Sequence, residues 1–469
     1  MWDDTIAAIA TPLGEGGLAI IRLSGPAALR VADRVFVPAG RRAPRPSQAA
    51  SHTLHYGHVV RGTIRVDEVL CAVMRAPRTF TREDVVEITC HGGVLASKAV
   101  LETVLANGAR LAHPGEFTQR AFLNGRIDLA QAEAVADLIQ ARTELALSAA
   151  NEQLAGKLSQ RIRQLRDDLM QTLAHIEAHL DFPEEDIAPH TRTQLAGRVA
   201  GAMAWVAELL RTAPEGRILR RGIRAAIIGR PNAGKSSLLN QLLGHERAIV
   251  SPVPGTTRDT IEETASVRGI PVVFIDTAGL REVRDDIEGE GVRRSREALA
   301  RAELILHVLD GSEPLHSTDT QLLTEFAGKS RILVCNKCDL PAQLVLPEAI
   351  RERPAPPAAT GHGLAPCVRI SSKTGAGLEL LKDAIEAAIW SGRVPAGMAQ
   401  VTINARHQDA LKRAQESLQL AREAIQAETS LEFVALDLRQ GINAIGEIVG
   451  QTTTEDLLTT IFSQFCIGK

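Results

Sequence analysis

The sequence predicts an α/β P-loop domain inserted into a helical domain, behind an α+β N-terminal domain. Three observations predict it. Apolar strands alternate with helices between about 217 and 393, the pattern of a parallel sheet covered by helices. Helical periodicity flanks that stretch on both sides. The first 120 or so residues instead mix short β-rich runs with glycine turns.

Composition agrees and excludes some classes. At roughly 100–200 residues per domain, 469 residues suggest about three domains. A formal net charge of -3 argues against a chain that coats nucleic acid over its whole surface. Aromatic residues are 3% with one tyrosine, Tyr56, so stacking platforms for single strands are scarce. No run of about 18 uncharged apolar residues occurs, so no membrane span is expected. The start, Met1-Trp2-Asp3-Asp4, lacks a signal-peptide pattern, and a cytoplasmic protein is expected. Six scattered cysteines make no disulfide framework. Cys335-Asn-Lys-Cys338 has redox-type spacing but lies inside another motif, and no second metal-spaced pair accompanies it. Only nine of 53 basic residues are lysines: Lys98, Lys157, Lys235, Lys329, Lys337, Lys373, Lys382, Lys412 and Lys469. Against an arginine bias, a surviving lysine has a raised chance of being chemically required.

The N-terminal domain is expected over 1–124, with strands at Gly17–Arg22 and Asp84–Thr89. Glu87-Ile-Thr-Cys-His-Gly-Gly93 puts an acid, a thiol and a histidine at a strand end. Core packing and a turn are the simplest roles for Cys90 and His91. Pro114-Gly-Glu-Phe-Thr-Gln-Arg-Ala-Phe-Leu-Asn-Gly125 reads as a turn followed by a helix, consistent with a binding loop. The helical domain is expected over 125–216 and again over 394–469. Asp128–Ile139 places apolar residues at three- and four-residue spacing, and the proline of Asp181-Phe-Pro-Glu-Glu-Asp186 breaks the pattern. The two helical stretches should pack together across the insertion.

The inserted domain, 217–393, carries strands at Ala225–Ile228, Val272–Ile275, Leu304–Leu309 and Ile332–Cys335. Arg353-Pro-Ala-Pro-Pro-Ala358 reads as a surface loop. Gly229-Arg-Pro-Asn-Ala-Gly-Lys-Ser236 follows the first strand and precedes a helical run, the context a phosphate-binding loop requires. Backbone N–H groups of Asn232, Ala233 and Gly234 would curl around phosphates. Lys235 would neutralise β- and γ-phosphate charge, and Ser236 would ligate Mg²⁺, with Ser237 following. Gly255-Thr-Thr-Arg-Asp259 offers a switch threonine. Asp276-Thr-Ala-Gly279 ends a strand, with Asp276 near the metal and Gly279 near the γ-phosphate. The carboxylate of Asn336-Lys-Cys-Asp339 can accept from guanine N1–H and the 2-amino group, a donor pair adenine lacks. Ser371-Ser-Lys373 resembles the last guanine-contacting loop. Four motifs in this order point to GTP. Where Ras-like proteins place a water-orienting glutamine, Leu280 stands, so hydrolysis must recruit another group. The candidates are Glu282, Asp285, Asp286, Glu288 and Glu290.

The chain ends Phe462-Ser-Gln-Phe-Cys-Ile-Gly-Lys469. Gly468 and Lys469 fit a prenylation box poorly, and a terminus held near a ligand by two phenylalanines is the better reading.

These motifs together resemble the MnmE (TrmE) family of tRNA-modifying GTPases over essentially the whole chain. The markers are Thr11-Pro-Leu-Gly-Glu-Gly-Gly17, Cys90-His-Gly-Gly93, Pro114-Gly-Glu-Phe117, Phe122-Leu-Asn124 with Asp128-Leu-Ala-Gln-Ala-Glu133, Leu180-Asp-Phe-Pro183, the inserted G domain and Phe465-Cys-Ile-Gly-Lys469. The resemblance implies a folate-binding-like N-terminal domain and a Ras-like G domain. It implies a homodimer built through the N-terminal domains, and a heterotetramer or larger complex with an FAD-carrying MnmG-type partner. Together these would install a carboxymethylaminomethyl or aminomethyl group at C5 of the wobble uridine of certain tRNAs. The one-carbon unit would come from 5-formyl- or methylene-tetrahydrofolate. The family's folate contacts fall on Arg22, Glu87, Arg126 and Lys469; lysine is common where Arg126 stands. Its GTP contacts include Ser251, Pro252, Val253, Pro254, Gly255, Thr256, Thr257, Asp276, Thr277, Ala278 and Gly279, besides the motifs above. Its K⁺ ligands fall on Asn232, Ser251, Val253 and Thr256, and Mg²⁺ on Ser236 and Thr257. The catalytic, water-positioning acid falls on Glu288. The alternative is a switch GTPase of ribosome assembly, against which stands the lack of a GXXG-bearing RNA domain after the G domain. A folate-dependent one-carbon transferase with GTP as regulator is a third.

Overall fold

The computed structural model describes residues 3–40, 42–181, 192–244, 263–275, 299–347, 366–390 and 402–468. They fall into two compact units. One comprises Met1–Ala136, Gln153–Val206 and Asp409–Lys469. The other comprises Asp137–Glu152 and Ala207–Gln408.

In the first unit β1 (Ile6–Ile9), β2 (Leu18–Ser24), β3 (Phe36–Pro38), β4 (Thr53–Arg61), β5 (Ile64–Met74), β6 (Val85–His91) and β7 (Arg110–Leu111) form a sheet in the order β3-β4-β5-β6-β2-β1-β7. All neighbours are antiparallel except β1 and β7. Side chains alternate between faces. Ile21, Leu23, Val59, Cys71, Val73 and Ile88 point into a core closed by α1 (Ala28–Val35) and α2 (Val94–Leu105). The opposite face carries two cross-strand rows. Register aligns Leu54, Ala72, Glu87 and Arg22 in one, and Tyr56, Leu70, Thr89 and Ile20 in the next. Leu54, Tyr56 and Leu70 are exposed there.

The predicted strands at Gly17–Arg22 and Asp84–Thr89 are β2 and β6, and the predicted turn-then-helix becomes α3 (Glu116–Leu123). The helix Lys157–Asp181 runs up to the predicted break, and the rest of that stretch, 182–186, lies outside the described residues. Its buried residues Leu158, Ile162, Leu165, Leu169, Leu173 and Ile176 recur every three or four positions. They pack on the helix Leu431–Val449, which lies beyond the inserted stretch and buries Val434, Leu438, Ile442 and Ile445. The two helical stretches therefore do meet across the insertion.

The second unit holds β8 (Ile223–Ile228), β9 (Glu263–Val267), β10 (Ile270–Phe274), β11 (Leu304–Asp310), β12 (Arg331–Asn336) and β13 (Cys367–Arg369). Among the described residues their order is β13-β12-β11-β8-β10-β9. Every pair is parallel except the β9–β10 hairpin. Every residue of β11 is buried, as a strand covered on both faces requires. Leu238, Leu239 and Leu242 of the helix Lys235–Gly244 and Leu381 and Ile385 of the helix Leu378–Trp390 fill the core beside Val272, Leu306 and Val334. This sheet aims the carboxyl ends of β8, β11, β12 and β13 toward one edge, where ligands of open α/β sheets bind.

Candidate functional site

Four loops meet at that edge. The first runs from Gly229 to Ser236 and feeds the helix Lys235–Gly244. Gly229 has φ +146°, and a Cβ there would lie 2.2 Å from the Val308 carbonyl. Gly234, at φ +95°, comes so close to Asn336 that a Cβ would sit 2.1 Å from its Nδ2. Only glycine fits these two positions. Asn232 lies between them at φ +63°. The loop thus wraps a concavity whose floor is the positive end of a ten-residue helix. Lys235 folds across it, its Nζ donating to the carbonyls of Gly229 at 2.9 Å and Arg230 at 2.8 Å. Burial lowers its pKa, so an anion arriving here would be welcomed electrostatically. Ser236 and Ser237 occupy the first helical turn.

The second group of loops leaves β12 and β13. Asn336 is 2% exposed and joins three elements. Its Nδ2 donates to the Ala233 carbonyl at 2.8 Å, and its Oδ1 accepts from Ser372 N–H at 2.9 Å and Oγ at 3.0 Å. Lys337, at φ +64°, pairs with Asp310 at 2.5 Å. Ser371 Oγ donates to Asp339 Oδ1 at 2.6 Å, and that bond holds the Asp339 carboxyl below its ordinary range. The second carboxylate oxygen is thus an ionised acceptor at the mouth of the site. Cys338 N–H donates to the Ile370 carbonyl at 3.0 Å, which fixes the spacing of the Asn336–Asp339 and Ser371–Lys373 loops. An anion cradle and a paired acceptor for a planar base therefore share one edge.

The first unit has its own polar site. Arg22 on β2 pairs through Nε with Glu87 on β6 at 2.7 Å, in direct cross-strand register. Its guanidinium lies 5.7 Å from the Phe117 ring centre, and Nη1 donates to the Gly468 carbonyl at 3.3 Å. The chain end is held by aromatic contacts. Phe462 and Phe465 pack with ring centres 5.4 Å apart, against Leu129, Ala132 and Phe122. Gly115, at φ +67°, abuts them so closely that a Cβ would lie 2.6 Å from the Phe462 carbonyl. Arg126 is exposed, and its backbone N–H donates to the Ala121 carbonyl at 2.9 Å. Cys90 is a core residue whose thiol burial pushes up to about 11, while His91 is exposed and bonded to Asp67 at 2.7 Å. The bland reading of Cys90 holds.

Comparison with known proteins decides the family. The model described as "GTP-binding protein TrmE N-terminus" matches residues 5–126, and that of the "MnmE helical domain" matches 129–466. The "tRNA modification GTPase MnmE" of Chloroflexus aurantiacus is 49% identical over 471 aligned residues, 100% of each chain. The chain belongs to the MnmE family. It is accordingly a GTP hydrolase acting in tRNA modification. The MnmE of Geobacillus kaustophilus is 48% identical over 99% of each chain. That of Bacillus subtilis is 45% identical over 99% of this chain and all of its own length. Among solved structures, Aquifex aeolicus Era bound to GDP.AlF4- is 27% identical over 42% of this chain and 67% of its own, with a TM-score of 0.26.

In the structure the phosphate loop and both loops after β12 and β13 come together at one sheet edge. Ser251, Pro252, Val253, Pro254, Gly255, Thr256, Thr257, Asp276, Thr277, Ala278, Gly279, Leu280, Glu288 and Lys469 lie outside the described residues. Sequence reasoning missed two sets of supporting residues. Arg230, inside the phosphate loop, is held by Glu313 at 3.0 Å and Asp319 at 2.9 Å. Arg120, fully buried, meets Asp4 at 2.8 Å, Glu83 at 3.2 Å and Glu116 at 2.9 Å. The signal for the second lay in Glu116 and Arg120, four apart on α3 beside the chain's turn motif.

No helix among the described residues is long and apolar enough to cross a membrane. Nor does any group of three or more His, Cys, Asp or Glu there have metal-holding geometry.

Proposed function

We propose a potassium-activated, Mg²⁺-dependent GTPase of the cytoplasm. With an FAD-carrying partner, it installs a carboxymethylaminomethyl or aminomethyl group at C5 of the wobble uridine of certain tRNAs. The observation that carries the nucleotide part is Asn336. It ties the phosphate loop at Ala233 to the base loop at Ser372, so phosphate and guanine contacts share one rigid frame. Asp339 accepts from guanine N1–H and the 2-amino group, with Ser371 and Lys373 beside it. Gly234 and Lys235 hold the phosphates. Ser236, in the first helical turn behind the loop, fits a Mg²⁺ ligand, and Thr257 would complete the pair. Mg²⁺ and K⁺ supply positive charge to the triphosphate as negative charge shifts toward the leaving diphosphate. Exposed Asn232, in left-handed backbone at the loop tip, fits its assigned role in holding K⁺ with Ser251, Val253 and Thr256. Glu288 orients the attacking water, since Leu280 has no polar group to do so.

A folate, 5-formyl- or methylene-tetrahydrofolate, binds the folate-binding-like N-terminal domain through Arg22, Glu87, Arg126 and Lys469. Supporting this, Arg22 and Glu87 are paired on one sheet face, and the residue before Lys469 is bonded to Arg22. The exposed Leu54–Tyr56–Leu70 surface supports a homodimer through the N-terminal domains. The testing experiment is nucleoside analysis of tRNA from a deletion strain. The expected result is loss of the wobble modification, restored by the wild-type chain but not by Glu288→Ala. An unchanged nucleoside profile would end the tRNA reading.

A further inference from the structure

The Cys335–Cys338 spacing is the one motif that the nucleotide site leaves unused. The contact Cys335 makes is with a different thiol: its Sγ lies 3.1 Å from Sγ of Cys367. Cys335 is the penultimate residue of β12, and Cys367 the first of β13. The parallel register pairs Leu333 with Cys367 and Cys335 with Arg369, so both sulfurs lie on one face, diagonally across the strand pair. They line a cleft of about 390 Å³ with Asn336, Lys337, Cys338 and Arg369. Cys367 is the half-buried member of the pair and Cys335 the buried one, so a solvent-borne oxidant meets Cys367 first. Closing a disulfide from 3.1 Å to roughly 2.05 Å moves the sulfurs about 1 Å. The strands that would move continue directly into Asn336–Asp339 and Ser371–Lys373. Close packing leaves little slack to absorb the shift, because Ile370 N–H already bonds the Cys335 carbonyl at 2.9 Å.

We propose that Cys335 and Cys367 are a reversible dithiol–disulfide site, oxidised by a peroxide, whose closure loosens the guanine nucleotide. The Cys367 thiolate, the more exposed, attacks a peroxide oxygen. The O–O bond breaks, leaving a sulfenic acid on Cys367, and the departing hydroxide takes up a proton to become water. The Cys335 thiol then attacks the sulfenic sulfur. It gives up its proton, the S–O bond breaks, and the hydroxyl leaves as a second water. Two thiols lose two electrons and two protons to one hydrogen peroxide, and a dithiol reductant reverses the step. The six cysteines of this chain form no disulfide in the structure, as suits a bond made only under oxidation.

The inference rests on the reading that the loops after β12 and β13 hold guanine, and the experiment separates the two. Full-length protein, fully reduced, is loaded with a fluorescent GDP analogue, treated with stoichiometric hydrogen peroxide and digested with trypsin without reductant. Trypsin cuts after Lys337 and so separates Cys335 from Cys338. The expected product joins the Ile332–Lys337 peptide to the one ending at Arg369, and GDP release becomes several-fold faster, restored by dithiothreitol. Cys338→Ser keeps both effects. Cys367→Ser, or Cys367→Val should the serine variant fold poorly, loses both. A Cys335–Cys338 link, no link, or a Cys335–Cys367 link with unchanged release would overturn the inference while leaving the guanine site standing. Loading of the reduced protein that is indifferent to Asp339→Asn would instead overturn the guanine reading and the inference with it.

Discussion

Arg22 donates to the backbone carbonyl of Gly468, 446 positions further along the chain, at 3.3 Å. The same guanidinium is fixed by Glu87 on the neighbouring strand at 2.7 Å. The position of the last residues is therefore set by a cross-strand ion pair in the N-terminal sheet. Gly468 fits because it has φ +96° and lies against β1, where a Cβ would meet the Ile9 carbonyl at 2.5 Å. Termini ordinarily fray, and this one is tied down by a charge-assisted bond and two phenylalanines.

Gly468→Ala should consequently displace Lys469 without touching the nucleotide site. Losing one charged hydrogen bond costs about 1.5–3 kcal/mol, so 5-formyltetrahydrofolate affinity should fall roughly 10- to 100-fold. Titration calorimetry with the folate and with a non-hydrolysable GTP analogue checks this. A parallel drop in both affinities would mean global disruption rather than loss of the terminal contact.

At the base loop, Ser371→Ala should weaken GDP binding several-fold, because Asp339 loses the donor that fixes its carboxylate. The pH dependence has a definite sign. That bond lowers the Asp339 pKa, so its contribution is complete above the ordinary carboxylate value and is lost as pH falls through the lowered one. In the alanine variant, acid-induced GDP release should therefore begin at higher pH than in wild type. Stopped-flow release between about pH 6 and about pH 3 reads the shift. Coincident profiles would show that Ser371 does not hold Asp339 in solution.

How much of this was legible in the sequence differs between the two sites. The phosphate and guanine loops are short, local motifs on strands with near-continuous apolar runs, and both strand and loop declare themselves. The β4–β5 hairpin did not. Its outward positions alternate Leu54, Tyr56 and His58 on one strand with Glu68 and Leu70 on the other, a partly apolar face that blurs the period-two contrast of a half-buried strand. Its turn, Arg61-Gly-Thr-Ile64 with Gly62 at φ +62°, is a two-residue hairpin connection whose signal was present. The Arg120 cluster was legible only in its Glu116–Arg120 spacing. Its acids come from Asp4 and Glu83 as well as Glu116, and only the folded topology of β1, β6 and α3 assembles them.

That cluster makes a stability prediction. Arg120 is fully buried and Glu116 is 2% exposed. Arg120→Met would remove one of the two guanidinium partners that Glu116 has among the described residues, and removing one partner of a buried ion network costs about 3–5 kcal/mol. The N-terminal unit should melt roughly 6–20 °C lower by calorimetry, at 2–4 °C per kcal/mol for its size. Burial opposes ionisation of Glu116, but the bonds from Arg110, His113 N–H and Arg120 outweigh it and lower its pKa. The wild-type contribution is thus present above pH 4.5 and lost as pH falls, so the two melting curves should converge in acid. A constant difference down to pH 3 would point to lost packing rather than lost charge.

The exposed sheet face gives the last prediction. Leu54, Tyr56 and Leu70 are 61%, 51% and 38% exposed, and Leu18, at 67%, lies on the same face of β2. Exposed apolar side chains grouped on one sheet face mark an interface in proteins that assemble. The row of Leu54 itself carries Glu87 and Arg22, so a second copy seated here would also close over the proposed folate contacts. Leu54→Asp should therefore shift full-length protein from dimer to monomer in light scattering and weaken folate binding in the same variant. GTP affinity, set by loops in the other unit, should stay within about twofold, the range expected of sites without shared partners. A variant that stays dimeric would move the interface elsewhere, and one that turns monomeric with folate affinity intact would place the folate entirely within one chain.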